Sequence, residues 1–255
     1  MKARVSLSYG LVGAILFVIV LGGAHGLDVD IDAALEQINR ANRVADSYAV
    51  TVDMALFEPG KDPQVSSMRN YIRGLDTVLA VYTEPAKDRG KKILLSGGNM
   101  WMYFPKAGRS IIIRPTWNLF GTVNTGDILS PPVLDLYELD SWEIAGEGEE
   151  ERLVLIFKAK TMRAPYGRLV YHYDWSRSEG RILYSECYAR SGILLKRAFF
   201  SDYVFLQDGF GYASRVRYES AVEPGVYVLI RLSNFERKEI KDYYFTPDGL
   251  KYVTE

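Results

Sequence analysis

The chain is short of the residues on which most enzyme chemistry depends. It holds one cysteine, Cys187, and two histidines, His25 and His172. A lone cysteine closes no internal disulfide, and so few Cys and His side chains cannot furnish a zinc tetrad. A serine triad would have to use His172, yet no Gly-x-Ser-x-Gly elbow accompanies it. Gly97-Gly98 is a plain turn and not a G-x-G-x-x-G phosphate loop. His172 and Asp174 share a face of the run Leu169 to Trp175, a pairing that strand alternation produces routinely. Charge of one sign is missing too: 31 Lys and Arg stand against 32 Asp and Glu. No basic field is left to gather nucleic acid. These absences favour binding over catalysis, with no catalytic residue, metal ligand or cofactor expected.

Only one apolar run is long. Lys2 and Arg4 precede Leu11 to Leu21 (LVGAILFVIVL), and Gly22-Gly23-Ala24-His25-Gly26 follows. A basic start, an apolar centre and small residues at the end spell a secretory signal. The run falls short of the roughly 20 residues that a spanning helix needs. Cleavage is expected after Gly26, leaving residues 27–255 as one exported domain. No cysteine stands near that site to carry a lipid, so the mature protein is expected in the periplasm without an anchor.

What the chain does have is strands. Asp30 to Asp46 reads as the one long helix, with Asp30 as its N-cap and Ile31, Leu35, Ile38 and Ala41 on one stripe. Alternating runs follow at Tyr48 to Phe57, Met68 to Arg73, Leu75 to Tyr82, Lys91 to Ser96 and Ser110 to Ile113. They resume at Arg152 to Lys160, Arg168 to Trp175, Ile182 to Tyr188, Ile193 to Tyr203, Gly211 to Glu219 and Val226 to Phe235. Turn signals such as Ser178-Glu179-Gly180 and Ser191-Gly192 separate them, and Gly146 to Glu151 reads as an acidic hairpin tip. Helix and strand signals do not interleave, so about eleven strands in an antiparallel meander are expected. Cys187, inside a strand run, reads as a small packed residue.

Two stretches depart from this rhythm. Asn99-Met100-Trp101-Met102-Tyr103-Phe104 is apolar on both faces: Trp101 and Tyr103 share one, Met100, Met102 and Phe104 the other. Such a strand is either sandwiched in a thick core or has one face on an apolar cavity. Trp117 to Pro132 mixes large apolar residues with glycine, asparagine and proline. A connection this long is either a surface loop tucked down by Trp117 and Phe120 or a lid over an opening.

The run Leu94 to Pro105 resembles the G-x-x-x-W-x-Y-x-P segment of LolA-like periplasmic carriers, in the branch called outer-membrane lipoprotein-sorting proteins. Tyr82-Thr83-Glu84-Pro85, Tyr188 to Lys196 and Phe245-Thr246-Pro247-Asp248-Gly249-Leu250 fit the same family in order. The resemblance implies an unclosed antiparallel β-barrel around the N-terminal helix, with a lid over a cavity for acyl chains. It implies a carrier of lipid or lipoprotein between an inner-membrane transporter, of resistance-nodulation-division or ABC type, and an outer-membrane acceptor. Trp101, Tyr103, Val50, Val52, Met54, Leu79 and Val81 are the expected lining. Trp117, Leu119, Phe120, Ile128 and Leu129 are the expected lid, and Arg73 is a candidate clamp for it. Two other readings remain: an envelope-stress sensor of the RseB type, binding mislocalised lipoprotein and a membrane regulator, and an exported hydrolase that depends on His172.

Overall fold

The computed structural model describes residues 30–40, 45–148, 151–175, 180–205 and 211–253. The expected leader and cleavage site, residues 41–44 of the expected helix, Glu149-Glu150 of the expected acidic hairpin tip and the expected turn at Ser178-Glu179 lie outside the described residues.

The expected helix is described as far as Arg40. α1 runs Ile31–Arg40, and Asp30 caps it by accepting a hydrogen bond from the Ala33 N–H at 2.9 Å. Thirteen strands among the described residues form one antiparallel sheet that does not close. Six of them, β1 (Ser47–Phe57), β2 (Gln64–Arg73), β3 (Thr77–Glu84), β4 (Lys92–Ser96), β5 (Asn99–Phe104) and β6 (Arg109–Ile113), step outward to one edge. β4 and β5 turn on Gly97-Gly98 alone. Both glycines have positive φ (55° and 71°), as a two-residue hairpin with the twist of its strands requires.

The chain then crosses to the far edge. The crossing contains a small hairpin of β7 (Asn118–Phe120) and β8 (Val123–Asn124), then α2 (Thr125–Leu129) and α3 (Val133–Leu136). From the far edge the chain steps back through β9 (Tyr137–Ala145), β10 (Arg152–Ala159), β11 (Arg168–Asp174), β12 (Arg181–Tyr188), β13 (Leu194–Phe205) and β14 (Gly211–Ser220). It ends at β15 (Tyr227–Arg237), which pairs with β1 in the middle of the sheet.

β9 has no counterpart among the strands expected from sequence. It is an edge strand with most of its side chains in solvent, so its Glu and Asp residues break the apolar alternation.

Alternation divides the buried side chains between two faces. The inner face carries two clusters. One is built on Val50, Val52, Met54, Met68, Val78, Met100 and Met102, the other on Leu153, Leu155, Phe157 and Tyr173 with Ala34 and Ile38 of α1. Phe200 of β13 packs on both. The outer face of β1 to β5 is covered by the segment after β15, whose Ile240, Phe245, Leu250 and Val253 seal Ala49, Leu79, Val81, Leu94 and Tyr103.

Candidate functional site

Because β6 and β9 lie at opposite edges of the sheet, the chain between them has to cross an open face. It crosses the inner one. Val123 and Leu129 are fully buried there, and Leu119, Phe120 and Ile128 pack beside them. α2 starts with a capping box: Asn124 Oδ1 accepts from the Asp127 N–H at 3.1 Å, and Asp127 Oδ2 accepts from the Asn124 N–H at 2.8 Å. Of the five expected lid residues, four therefore cover the inner cluster. Trp117 is 45% exposed and flanks a rim groove with Leu119, Phe120, Lys87 and Lys91.

Asp127 does more than cap its helix. Lys196 of β13 donates to Asp127 Oδ2 and, at 2.7 Å, to the Thr122 carbonyl, with side-chain exposures of 3% for the lysine and 6% for the aspartate. The Tyr166 hydroxyl donates to Asp127 Oδ1 at 2.8 Å and accepts from Asn124 Nδ2 at 2.9 Å. Lys196 Nζ also lies 5.2 Å and 4.9 Å from the ring centres of Tyr166 and Tyr218. The ammonium thus has a carboxylate, a carbonyl and two ring faces in place of water. Both phenols are held well above their ordinary range by burial, with the Asp127 charge adding to it. Strand β13 pins the crossing segment by one buried ion pair.

α2 separates two cavities. One, with about 720 Å³ of empty space including its mouth, lies against Val50, Val52, Asn70, Ile72, Val78 and Ile230. Its rim carries Tyr48, Phe235 and Tyr212, whose rings stand 5.0 Å and 6.2 Å apart. The other, about 780 Å³ on the same measure, lies against Ile38, Tyr137, Leu169, Tyr171 and Cys187. Asp127, Ser130, Phe200 and Tyr218 line both, so α2 with its ion pair forms the wall between them.

The seven expected lining residues do not share one wall. Val50, Val52 and Met54 lie on the inner face, and the first two line the cavity. Leu79, Val81, Trp101 and Tyr103 lie on the outer face instead, beneath the C-terminal segment. Register explains this correction: Leu79, Leu94 and Trp101 are cross-strand partners, as are Val81, Lys92 and Tyr103, and each row faces Phe245 and Leu250. The two greasy faces of β5 therefore serve two covers, and Met100, Met102 and Phe104 are the ones that look inward.

Arg73, the candidate clamp, meets the C-terminal segment and not the crossing segment. It shares the outer face with Tyr71, pairs with Asp242 and sits 4.5 Å over the Phe245 ring, so it holds the C-terminal segment. The residue that pairs with the crossing segment is Lys196, which sequence reasoning passed over. Its signal was a lysine in an apolar strand run (Leu194-Leu195-Lys196) together with the Asn124-x-x-Asp127 capping box.

His172 also faces outward, 3.8 Å from the Tyr184 ring in a stack, with Nδ1 accepting from Arg152 Nε at 3.3 Å. Burial pulls its pKa down to about 4. Cys187 is packed in the second inner cluster, where burial pushes its thiol up to about 12. Neither has the environment of an activated nucleophile or base. Among the described residues, no three His, Cys, Asp or Glu side chains gather where they could hold a metal, and no helix is long and apolar enough to cross a membrane.

Three solved structures share this architecture. A LolA superfamily protein from Nitrosomonas europaea is 22% identical, covering 87% of this chain and 98% of its own, with a TM-score of 0.77. A domain from Vibrio parahaemolyticus named for outer-membrane lipoprotein sorting is 20% identical over 86% and 97%, with a TM-score of 0.73. A DUF1329 family protein from Desulfovibrio piger is 22% identical over 86% and 98%, with a TM-score of 0.70. No curated protein matches the sequence. Residues 74–252 match the model of a family described as uncharacterized-protein-like, and the chain belongs to that family, with a LolA-like fold.

Proposed function

We propose that this chain is an exported, non-enzymatic carrier that holds the acyl chain of a lipid or lipoprotein on the inner face of its sheet. The observation that carries this reading is an apolar cavity under a crossing segment that one buried ion pair pins in place. The lid-like crossing, the Met-rich inner cluster of Met54, Met68, Met100 and Met102, and the LolA-like fold support it. Methionine and aromatic surfaces offer area without demanding one ligand shape.

The energetics of such a carrier are a balance. Hiding a myristoyl-length chain from water is worth on the order of 10 kcal/mol, at about 0.8 kcal/mol per CH₂. A cavity must nearly match this to draw a lipid from a membrane, and must not greatly exceed it if the lipid is to be handed on. With the leader expected at residues 1–26, the carrier would work in the periplasm. Its donor would then be an inner-membrane transporter of resistance-nodulation-division or ABC type, and its acceptor would lie at the outer membrane.

The test is direct. Protein purified from its own periplasm is expected to show a bound lipid by native mass spectrometry, and the delipidated protein to bind a fluorescent acyl probe. Absence of both would overturn the reading.

A further inference from the structure

One polar side-chain atom in the wall of the apolar cavity is buried without a partner. Asn70, in the middle of β2, is 4% exposed and lines the cavity among Val50, Ile72 and Val78. Its cross-strand partners are Val50 and Ala80. Its Oδ1 is buried without a hydrogen-bond partner. Among the described residues three other buried side-chain atoms share that condition, Ser47 Oγ, His172 Nε2 and Arg181 Nε, and none of those residues lines the cavity. Of the other polar residues that line the cavity, Asp127 is taken up by Lys196, Tyr166 and its own helix cap, and the Ser130 hydroxyl donates to the Asp127 carbonyl at 2.7 Å.

A carboxamide in an apolar wall is costly unless something answers it, because its desolvation is not repaid. Valine or leucine at the same strand position would pack without that cost. A ligand can repay it. A carboxamide offers an acceptor and a donor side by side, and an alcohol offers the same pair in one atom. Whichever way round the amide is turned, one hydroxyl on the ligand can donate to Oδ1 or accept from Nδ2. A saturated chain can do neither.

We propose that Asn70 is a specificity residue that selects an acyl chain bearing a hydroxyl group within its apolar body over a plain saturated chain. This rests on the carrier reading above and names the ligand class of that same cavity.

The experiment is competition against a bound fluorescent acyl probe by stearic acid and by hydroxystearic acids with the hydroxyl at successive positions. In the wild-type protein one position of the hydroxyl is expected to improve affinity about fivefold over stearate, the size of one net hydrogen bond. In Asn70→Leu that advantage is expected to vanish, the ratio of hydroxystearate to stearate affinity falling to about one whatever the absolute affinity. A preference that survives in Asn70→Leu would overturn the proposal, and so would wild-type protein that binds stearate and every hydroxystearate alike. Where Asn70→Leu does not fold, the smaller Asn70→Ala makes the same comparison, and a positional peak retained in it overturns the proposal. Wild-type protein that binds neither class brings down the carrier reading itself, which separates the two failures.

Discussion

Lys196 and Asp127, 69 positions apart, meet as an ion pair withdrawn almost entirely from water, one on a sheet strand and the other in the segment that crosses the sheet. An ion pair so placed has already lost its hydration, so its two members depend on each other. Lys196→Met is expected to lower the unfolding free energy by about 3–5 kcal/mol in urea titrations, since Asp127 then stays buried without its counter-charge. Lys196→Met combined with Asp127→Leu is expected to recover most of that loss, because an apolar pair carries no desolvation cost. If the ion pair latches the lid, the double variant exchanges a bound acyl probe faster than wild type at similar stability. Unchanged exchange would mean that Leu129 and Val123 alone hold the lid down.

The two covers of β5 make opposite predictions for neighbouring strands. Val52 lines the inner cavity, whereas Trp101 lies under the C-terminal segment. Val52→Trp is expected to fill the cavity and weaken acyl binding on the order of tenfold, with circular dichroism unchanged. Trp101→Ala is expected to cost up to about 3 kcal/mol of stability and leave acyl affinity alone. The reverse pattern would place the ligand on the outer face.

How much of this was legible in the sequence follows from what each residue shows locally. The strands of two-sided burial announced themselves by apolar runs, and the crossing segment by its mixture of Trp117, Phe120, glycine and proline. The face that Trp101 and Tyr103 occupy did not, because alternation says which residues share a face but not what covers it. That depended on Ile240, Phe245 and Leu250, which lie in two 3-10 turns, 242–245 and 249–252, with no periodicity to read. β9 was hidden by edge exposure, and Lys196 by looking like an ordinary strand lysine until Asp127 is brought beside it.

His172 gives a pH signature that is independent of the lid. Its ordinary value is near 6.5, and in the folded protein burial lowers it to about 4. Between those two values the unfolded chain binds more protons at this site than the folded one, so stability rises with pH across the window and is lost as pH falls through it. Histidine protonation is expected to lower the unfolding free energy progressively from about pH 6.5 to about pH 4. His172→Phe, which keeps a ring against Tyr184, is expected to flatten the upper part of that slope, above the range where carboxylates titrate. Superimposable profiles for the two proteins would show that the ring titrates alike folded and unfolded. Acyl binding at neutral pH is expected to be the same in both, since His172 faces away from the cavities.

Gly121 tests how tightly the tip of the crossing segment must sit. It joins β7 to β8 with φ of +57°, and a Cβ there would lie 2.5 Å from Leu56 Cδ1 and 3.2 Å from Val228 Cγ2. Alanine is therefore opposed twice, by a left-handed backbone that a side chain disfavours and by a wall of β1 and β15 with no room for a methyl. Gly121→Ala is expected to cost about 1–3 kcal/mol and to lift the hairpin, with the Lys196 bond to the Thr122 carbonyl loosened and the pair with Asp127 kept. Hydrogen exchange should then quicken at Leu119 and Phe120 but not at Leu129. Equal quickening at both ends would mean that the segment moves as one rigid flap, hinged at its junctions with β6 and α3.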